Sequence, residues 1–242
     1  MRASLGLVLV GLLAACQSGG PLAATGDDGG LRIHAIDHAT MALTAGGTTV
    51  YVDPVGGAER FADLPRPDLV LVTDVHGDHL DADTLAALGG PALALAAPQA
   101  VVDQLGYGTA MGNGAGWNQT GDHGTWDLRA VPMYNLTEER LKYHPKGRGN
   151  GYLLELGGEL IYISGDTEDI PEMRALEDID VAFVCMNLPY TMTVEQAADA
   201  VIEFAPRVVV PYHHRGSDVE RFEALVRAGD PSIGVVRLDW YP

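Results

Sequence analysis

The sequence predicts one α/β domain built as a sandwich of two mixed β-sheets with helices on the outside. Three observations point there. The chain has 242 residues, 47% of them hydrophobic, enough to bury the core of a single large domain. The early apolar runs are short, rich in β-branched residues and punctuated by glycine, which suits strands. Later runs of the same kind alternate with helical patterns, and no internal repeat marks a solenoid, so early and late strands read as two sheets packed together.

Taken in order, the pattern is strand-like from Leu31: first around Ile33, then Ala39 to Leu43, a Gly46-Gly47 turn, and Thr48 to Asp53 closed by Pro54. This is an opening hairpin or meander. Leu69 to Thr73 is a buried strand between Pro67 and a polar cluster. Asp81 to Leu88, stopped by Gly89-Gly90, is a short helix with Asp81 or Asp83 near its N-cap. Leu93 to Ala97 and Leu128 to Val131 are strands, and Gly151 to Leu156 with Glu159 to Ser164 form a hairpin around Gly157-Gly158. Val181 to Cys185 follows as a strand. Thr193-Val-Glu-Gln196 has capping-box spacing for a helix reaching about Phe204. Val208 to Pro211 is a strand, Asp218 to Ala228 a helix and Gly234 to Leu238 a last strand, while Gly106 to Gly116 carries no readable chemistry.

The first residues have the three parts of a secretory signal: a positive Arg2, an apolar run from Leu5 to Leu13, and small residues before Cys16. Leu13-Ala14-Ala15-Cys16 resembles the lipobox of bacterial lipoproteins, which implies cleavage after residue 15 and acylation of the Cys16 thiol. Residues 16–30, with Ser-Gly-Gly-Pro and Gly-Asp-Asp-Gly-Gly, read as a flexible tether to a domain spanning 31–242. By resemblance to bacterial sorting rules, Gln17 after the cysteine points to the outer membrane, facing the periplasm. With Cys16 acylated, Cys185 is left alone, inside an apolar strand, and reads as a buried structural thiol.

With 15 basic and 33 acidic residues the formal charge is −18, and no Lys/Arg cluster stands out, which argues against nucleic acid as a partner. The acidity suits either carboxylate binding of divalent cations or a self-repelling soluble surface. The densest chemical signal lies between Thr73 and Asp81. Thr73-Asp-Val-His-Gly-Asp-His-Leu-Asp81 places Asp74, His76, Asp78 and His79 within six residues, directly after a strand. Imidazole and carboxylate are the donors zinc takes at catalytic sites, where one position stays open for water.

This segment resembles the His-x-His-x-Asp-His signature of the metallo-β-lactamase superfamily, with Asp74 in the first histidine's place. Asp53-Pro54 is similar to its early Asp, and Ser164-Gly-Asp166-Thr167 and Val210-Pro-Tyr-His213 to its bridging-carboxylate motif and final histidine, each at a strand end. Val131-Pro-Met-Tyr-Asn135, His144-Pro-Lys-Gly, Gly151-Tyr, Ile170-Pro-Glu-Met173 and Tyr190-Thr-Met-Thr193 are similar to the branch containing L-ascorbate-6-phosphate lactonase. The resemblance runs from about Leu31 to Ser217. It implies an αββα sandwich and one or two divalent ions, zinc first, with manganese or iron as alternatives because the extra carboxylate hardens the site. One ion would take Asp78, His79, Asp166 and His213. The other would take Asp74 and His76, with Asp166 shared and the third-motif position held by Asn135, leaving His144 as substitute ligand or substrate contact. Asp53 would orient a ligand histidine. Asp81 would act likewise or cap its helix, and His38 would sit at the site floor or in the core. His34 and His123 read as surface or loop histidines and His214 as rim.

A bound divalent ion lowers the pKa of water toward about 7 and polarises the bond under attack. The resemblance therefore implies a hydrolase acting on a small molecule, with Asp78 both ligating and accepting the water's proton and no Ser or Cys nucleophile needed. A lactone, ester or related bond is the leading expectation. Two alternatives stand beside it: a membrane phosphodiesterase, since His-x-Asp-His-Leu-Asp also resembles N-acylphosphatidylethanolamine phospholipase D, and a metal-binding domain without catalysis, given the departures at Asp74 and Asn135.

Overall fold

In a computed structural model of the chain, the described residues are 29–121 and 124–241. The expected leader 1–15, Cys16, the expected tether up to residue 28 and His123 lie outside them. The Gly29 carbonyl accepts a hydrogen bond from Gly46 N at 3.0 Å. Among the described residues no helix is long and apolar enough to cross a membrane.

The first sheet has six strands in chain order: β1 (Arg32–Asp37), β2 (Thr40–Ala45), β3 (Thr48–Val52), β4 (Leu69–Leu71), β5 (Leu95–Ala97) and β6 (Thr109–Ala110). β1 to β3 run antiparallel, as tight turns permit, and β3 to β6 run parallel. The parallel crossovers carry helices α1 (Ala82–Leu88) and α2 (Gln99–Leu105). The second sheet repeats this plan with β7 (Gly116–Gln119), β8 (Trp126–Met133), β9 (Gly149–Leu156) and β10 (Glu159–Ile163) antiparallel. β11 (Val181–Cys185), β12 (Val208–Tyr212) and β13 (Gly234–Val235) then continue parallel to β10. The short α3 (Pro171–Arg174) and the longer α4 (Val194–Phe204) and α5 (Val219–Gly229) connect these parallel strands.

The inner strands β3, β4 and β5 are buried on both faces, and β4 and β5 read as continuous apolar runs for that reason. Val50, Val52, Leu69 and Leu71 point into the core between the sheets, while the alternate residues Tyr51, Val70 and Val72 pack with Leu85 of α1 and Val101 of α2. On the other side Val201 and Phe204 of α4 and Phe222 and Val226 of α5 close the layer. The result is the expected sandwich with helices outside.

Local signals place the helices where they occur. Asp81 caps α1 through Asp83 N and Thr84 N, and Thr193 and Gln196 form a full capping box on α4. The sequence reading missed α2, because it starts after Pro98 with no capping side chain and carries Val101-Val102, which favour strands. It also gave no strand to β6 or β7. Both are short, and β6 is exposed, so neither shows apolar alternation.

The topology sets the site. In β3, β4, β8, β10, β11 and β12 the chain runs the same way within its sheet, and Asp53, Thr73-Asp74, Asn135, Asp166 and His213 all follow strand C-termini. The β1–β2 turn brings His38 to this same end. Ligand sites of open α/β sheets lie in the crevice outside the carboxyl ends of strands.

Candidate metal centre

Asp53 is fully buried and its carboxylate is saturated: Oδ1 accepts from Thr73 N at 2.7 Å, and Oδ2 accepts from Thr73 Oγ1 at 2.7 Å and His79 Nδ1 at 2.8 Å. Because a carboxylate only accepts, His79 carries its proton on Nδ1 and turns the Nε2 lone pair inward. There it lies 3.4 Å from Asp166 Oδ2. His213 Nε2 is 3.3 Å from Asp166 Oδ1 and 3.4 Å from Asp78 Oδ2. His144 Nε2 approaches Asp166 Oδ2 at 3.2 Å, while its Nδ1 faces the Tyr190 carbonyl at 3.1 Å.

Several buried atoms at this point have no hydrogen-bond partner among the described residues: His79 Nε2, His144 Nε2, Asp166 Oδ1 and both His213 nitrogens. Acceptor atoms facing one another at 3.2 to 3.4 Å repel unless a proton or a metal ion lies between them. Bonds of about 2.0–2.1 Å in tetrahedral array put ligand atoms roughly 3.3 Å apart, so the spacing fits a divalent ion. Three sets of potential donors have their ligand atoms within 4.8 Å of one another: His79, Asp166 and His213; His38, Asp78 and His213; Asp74, His76 and His144.

The charges agree with this chemistry. Burial alone would raise the Asp166 carboxyl, but the neighbouring His213 and His79 outweigh it and hold Asp166 well below the usual carboxylate range. Asp78 likewise resists its burial through hydrogen bonds to His213 and His38, and Asp74 through His76 and Arg148. Two ionised carboxylates, Asp78 and Asp166, thus line one pocket, which calls for a cation, while Asp74 beside them is paired with Arg148. Cys185 is the reverse case: burial, reinforced by the charge of Asp166, pushes its thiol up to about 12, as befits an inert core cysteine.

The backbone is also strained here. Of the non-glycine residues, His38, Asp53 and His213 adopt positive φ of 49°, 45° and 46°, each costing on the order of 1–3 kcal/mol. The His38 carbonyl accepts from His213 N at 3.1 Å, which couples the two turns. At Gly165 (φ 59°) a Cβ would come within 2.4 Å of Met133 Sδ, so glycine is what lets the chain aim Asp166 inward.

Most expected site residues meet, with two reassignments. Asn135 turns its Nδ2 to the Arg140 and Tyr190 carbonyls and lies 3.2 Å from His144 Nδ1, while its buried Oδ1 has no hydrogen-bond partner among the described residues. It braces His144, which occupies the inward position instead. Asp81, expected beside the ligands or as a cap, bonds with Gly56 N, Asp83 N, Thr84 N and Thr84 Oγ1, so capping explains it. His38 belongs to the site, with Nε2 3.5 Å from Asp78 Oδ2 and Nδ1 bonded to Tyr241 Oη at 2.8 Å. His214 sits half-buried against Tyr241 at the rim, and His34 is half-buried on β1.

Two residues escaped the sequence reading. Glu168 is fully buried and holds the loop bearing Asn135 and His144, through Leu136 N, Thr137 N, Thr137 Oγ1 and Arg140 Nη1 at 2.5–2.6 Å. Arg148 pairs with Asp74 through Nε at 3.1 Å and Nη2 at 2.7 Å. The signal available for Arg148 was a cation flanked by Gly147 and Gly149, just after His144. Above the donors opens a cleft of about 480 Å³, with Asp78, His144 and Asp166 at its base and Tyr143, Asn187, Tyr190 and Arg215 around it.

Comparison with known proteins agrees with this geometry. Residues 32–213 match the family described as "Beta-lactamase superfamily domain". The chain is 33% identical over 197 residues to a "UPF0173 metal-dependent hydrolase" of Anaeromyxobacter dehalogenans, covering 73% of this chain and 72% of that one. It is 30% identical over 226 residues to another of that name from Pyrococcus abyssi, covering 85% and 96%. The crystal structure of a "Putative metal-dependent hydrolase" from Parabacteroides distasonis superposes with a TM-score of 0.78 at 38% identity, over 87% of this chain and 94% of that one. With these relatives the expectation of a non-catalytic binding domain falls away. A fold, a set of inward-facing metal donors and a family match over the same residues converge on one statement: the chain belongs to the metallo-β-lactamase superfamily, in its UPF0173 family of metal-dependent hydrolases.

Proposed function

We propose that the protein cleaves a lactone or related ester of a small molecule, with a divalent ion held by His79, Asp166 and His213 and the attacking water managed by Asp78 and His144. The observation that carries this reading is the meeting, at the base of an open cleft, of partnerless buried donors with a carboxylate, Asp78, that is 47% exposed. The ion supplies Lewis acidity and makes hydroxide available near neutral pH. Asp78 Oδ2, aligned by His38 and His213, orients the water and takes its proton. His144 Nε2, braced from behind by Asn135 and Tyr190, faces the reacting bond. Nitrogen donors with carboxylates favour zinc, and the number of carboxylates keeps manganese and iron as alternatives.

The rim favours an ester over a phosphodiester. Tyr143 and Tyr190 meet edge to face at 5.0 Å, whereas Arg215 is the one Lys or Arg among the cleft-lining residues. The likeness of several motifs to the L-ascorbate-6-phosphate lactonase branch points the same way. Turnover of a matched panel of lactones, esters and phosphodiesters, each with zinc, manganese or ferrous ion, tests it. Lactone or ester hydrolysis at least about tenfold faster than phosphodiester hydrolysis is expected, and the opposite order overturns the assignment.

We further infer a membrane-bound lipoprotein, acylated at Cys16 and facing the periplasm from the outer membrane. Leu13-Ala-Ala-Cys16, followed by Gln17 and a glycine-containing segment, supports it. Cys16→Ala is expected to move the protein from the detergent-extractable membrane fraction to the soluble one. Unchanged fractionation rules the anchor out.

A further inference from the structure

We propose that Arg148 is a resident cation that takes the place of a second metal ion, so that the centre binds one ion only. The inference rests on the metal site assigned above. The outer donor set, Asp74, His76 and His144, is close enough to hold an ion, yet Asp74 and His76 already have a cation of their own. Arg148 Nε and Nη2 bind the two oxygens of the buried Asp74 carboxylate side by side, and Nη2 also lies 3.2 Å from His76 Nε2 and bonds to the Tyr143 carbonyl.

The protons follow from these contacts. A guanidinium only donates and stays charged, so His76 Nε2 must accept, and His76 carries its proton on Nδ1, which reaches Asp74 Oδ2 at 3.0 Å. Both oxygens of Asp74 and both nitrogens of His76 are therefore engaged. An ion on this pair would have to displace the guanidinium or sit against its positive charge.

This accounts for Asp74 standing where the family signature has histidine. A neutral imidazole offers an arginine no charge to pair with, whereas a carboxylate forms the bidentate pair seen here. It also explains the different state of His144, whose Nε2 has no partner while Asp74 and His76 are both engaged. His76 and His144 both line the cleft, but only His144 keeps a ring nitrogen without a partner there, free to contact substrate or accept a proton.

The test is metal content after loading the full chain with zinc or manganese and dialysing, read by mass spectrometry, with the manganese form also read by electron paramagnetic resonance. Wild type is expected to keep one equivalent and give an uncoupled manganese spectrum. Arg148→Ala should take up a second equivalent and show exchange coupling between two ions. Because this variant leaves Asp74 buried without its partner and can fail to fold, the double variant Asp74→His with Arg148→Gln removes both charges together and should also hold two. Arg148→Lys, which keeps a cation, should stay at one. Two tight equivalents in wild type overturn the role of Arg148 while leaving the metal site intact, as does a double variant that folds and stays at one. Wild type with no metal under any supplied ion sinks the metal assignment itself.

Discussion

His79→Ala and His213→Ala are each expected to lose the bound ion and at least about a thousand-fold in hydrolysis, because the metal supplies several kcal/mol of transition-state stabilisation and each 1.36 kcal/mol is a factor of ten. Both imidazoles aim Nε2 at Asp166, at 3.4 Å and 3.3 Å, and neither Nε2 has a partner among the described residues. Losing one therefore removes a donor without removing a structural hydrogen bond at that atom. Asp74→Ala should differ by leaving the ion on His79, Asp166 and His213, since Asp74 faces Arg148. Stripping metal from wild type with a chelator should lower the melting temperature, because Asp78 and Asp166 then share the pocket without their counter-ion. Metal content, turnover and melting temperature measured together check this. A full equivalent retained in both histidine variants would falsify the ligand assignment.

Asp53→Ala carries the largest expected loss of stability. Its carboxylate is wholly buried and accepts three hydrogen bonds, from Thr73 N, Thr73 Oγ1 and His79 Nδ1. Removing it strands these donors and leaves His79 without its acceptor, a change that costs about 3–5 kcal/mol for a buried ionic partner. At roughly 2–4 °C per kcal/mol for a domain of this size, melting should fall by on the order of 10 °C. Metal affinity should also drop about 10- to 100-fold, as when a carboxylate behind a ligand histidine is removed, because His79 loses the bond that fixes its tautomer. Asp53→Asn keeps the shape and one acceptor oxygen, so it should recover much of the stability but less of the affinity. Affinity unchanged in either variant would reduce Asp53 to a purely structural role.

Much of this centre was legible in the chain. The clustering of Asp74, His76, Asp78 and His79 after a strand, with Asp166 and His213 following later strands, named most of the inward-facing groups. Strands and helices with clear punctuation were legible too: the Gly46-Gly47 and Gly157-Gly158 turns, the Asp81 cap and the Thr193 capping box all lie where local chemistry placed them. Segments without such signals, α2 and the exposed β6, were not.

The sequence by itself determined the fold class, most of the strands that bury apolar runs, and the ligand chemistry, because periodicity, turn residues and donor types are local properties. Only the tertiary structure decided which donors share a point in space. It put His144 rather than Asn135 beside Asp166, brought His38 from the first turn onto His213, and set Arg148 against Asp74 across 74 positions of chain. These depend on how two sheets register at their strand ends and on backbone turns at His38, Asp53 and His213 that run against residue preference. Local propensity opposes those turns, and only the surrounding fold can hold them.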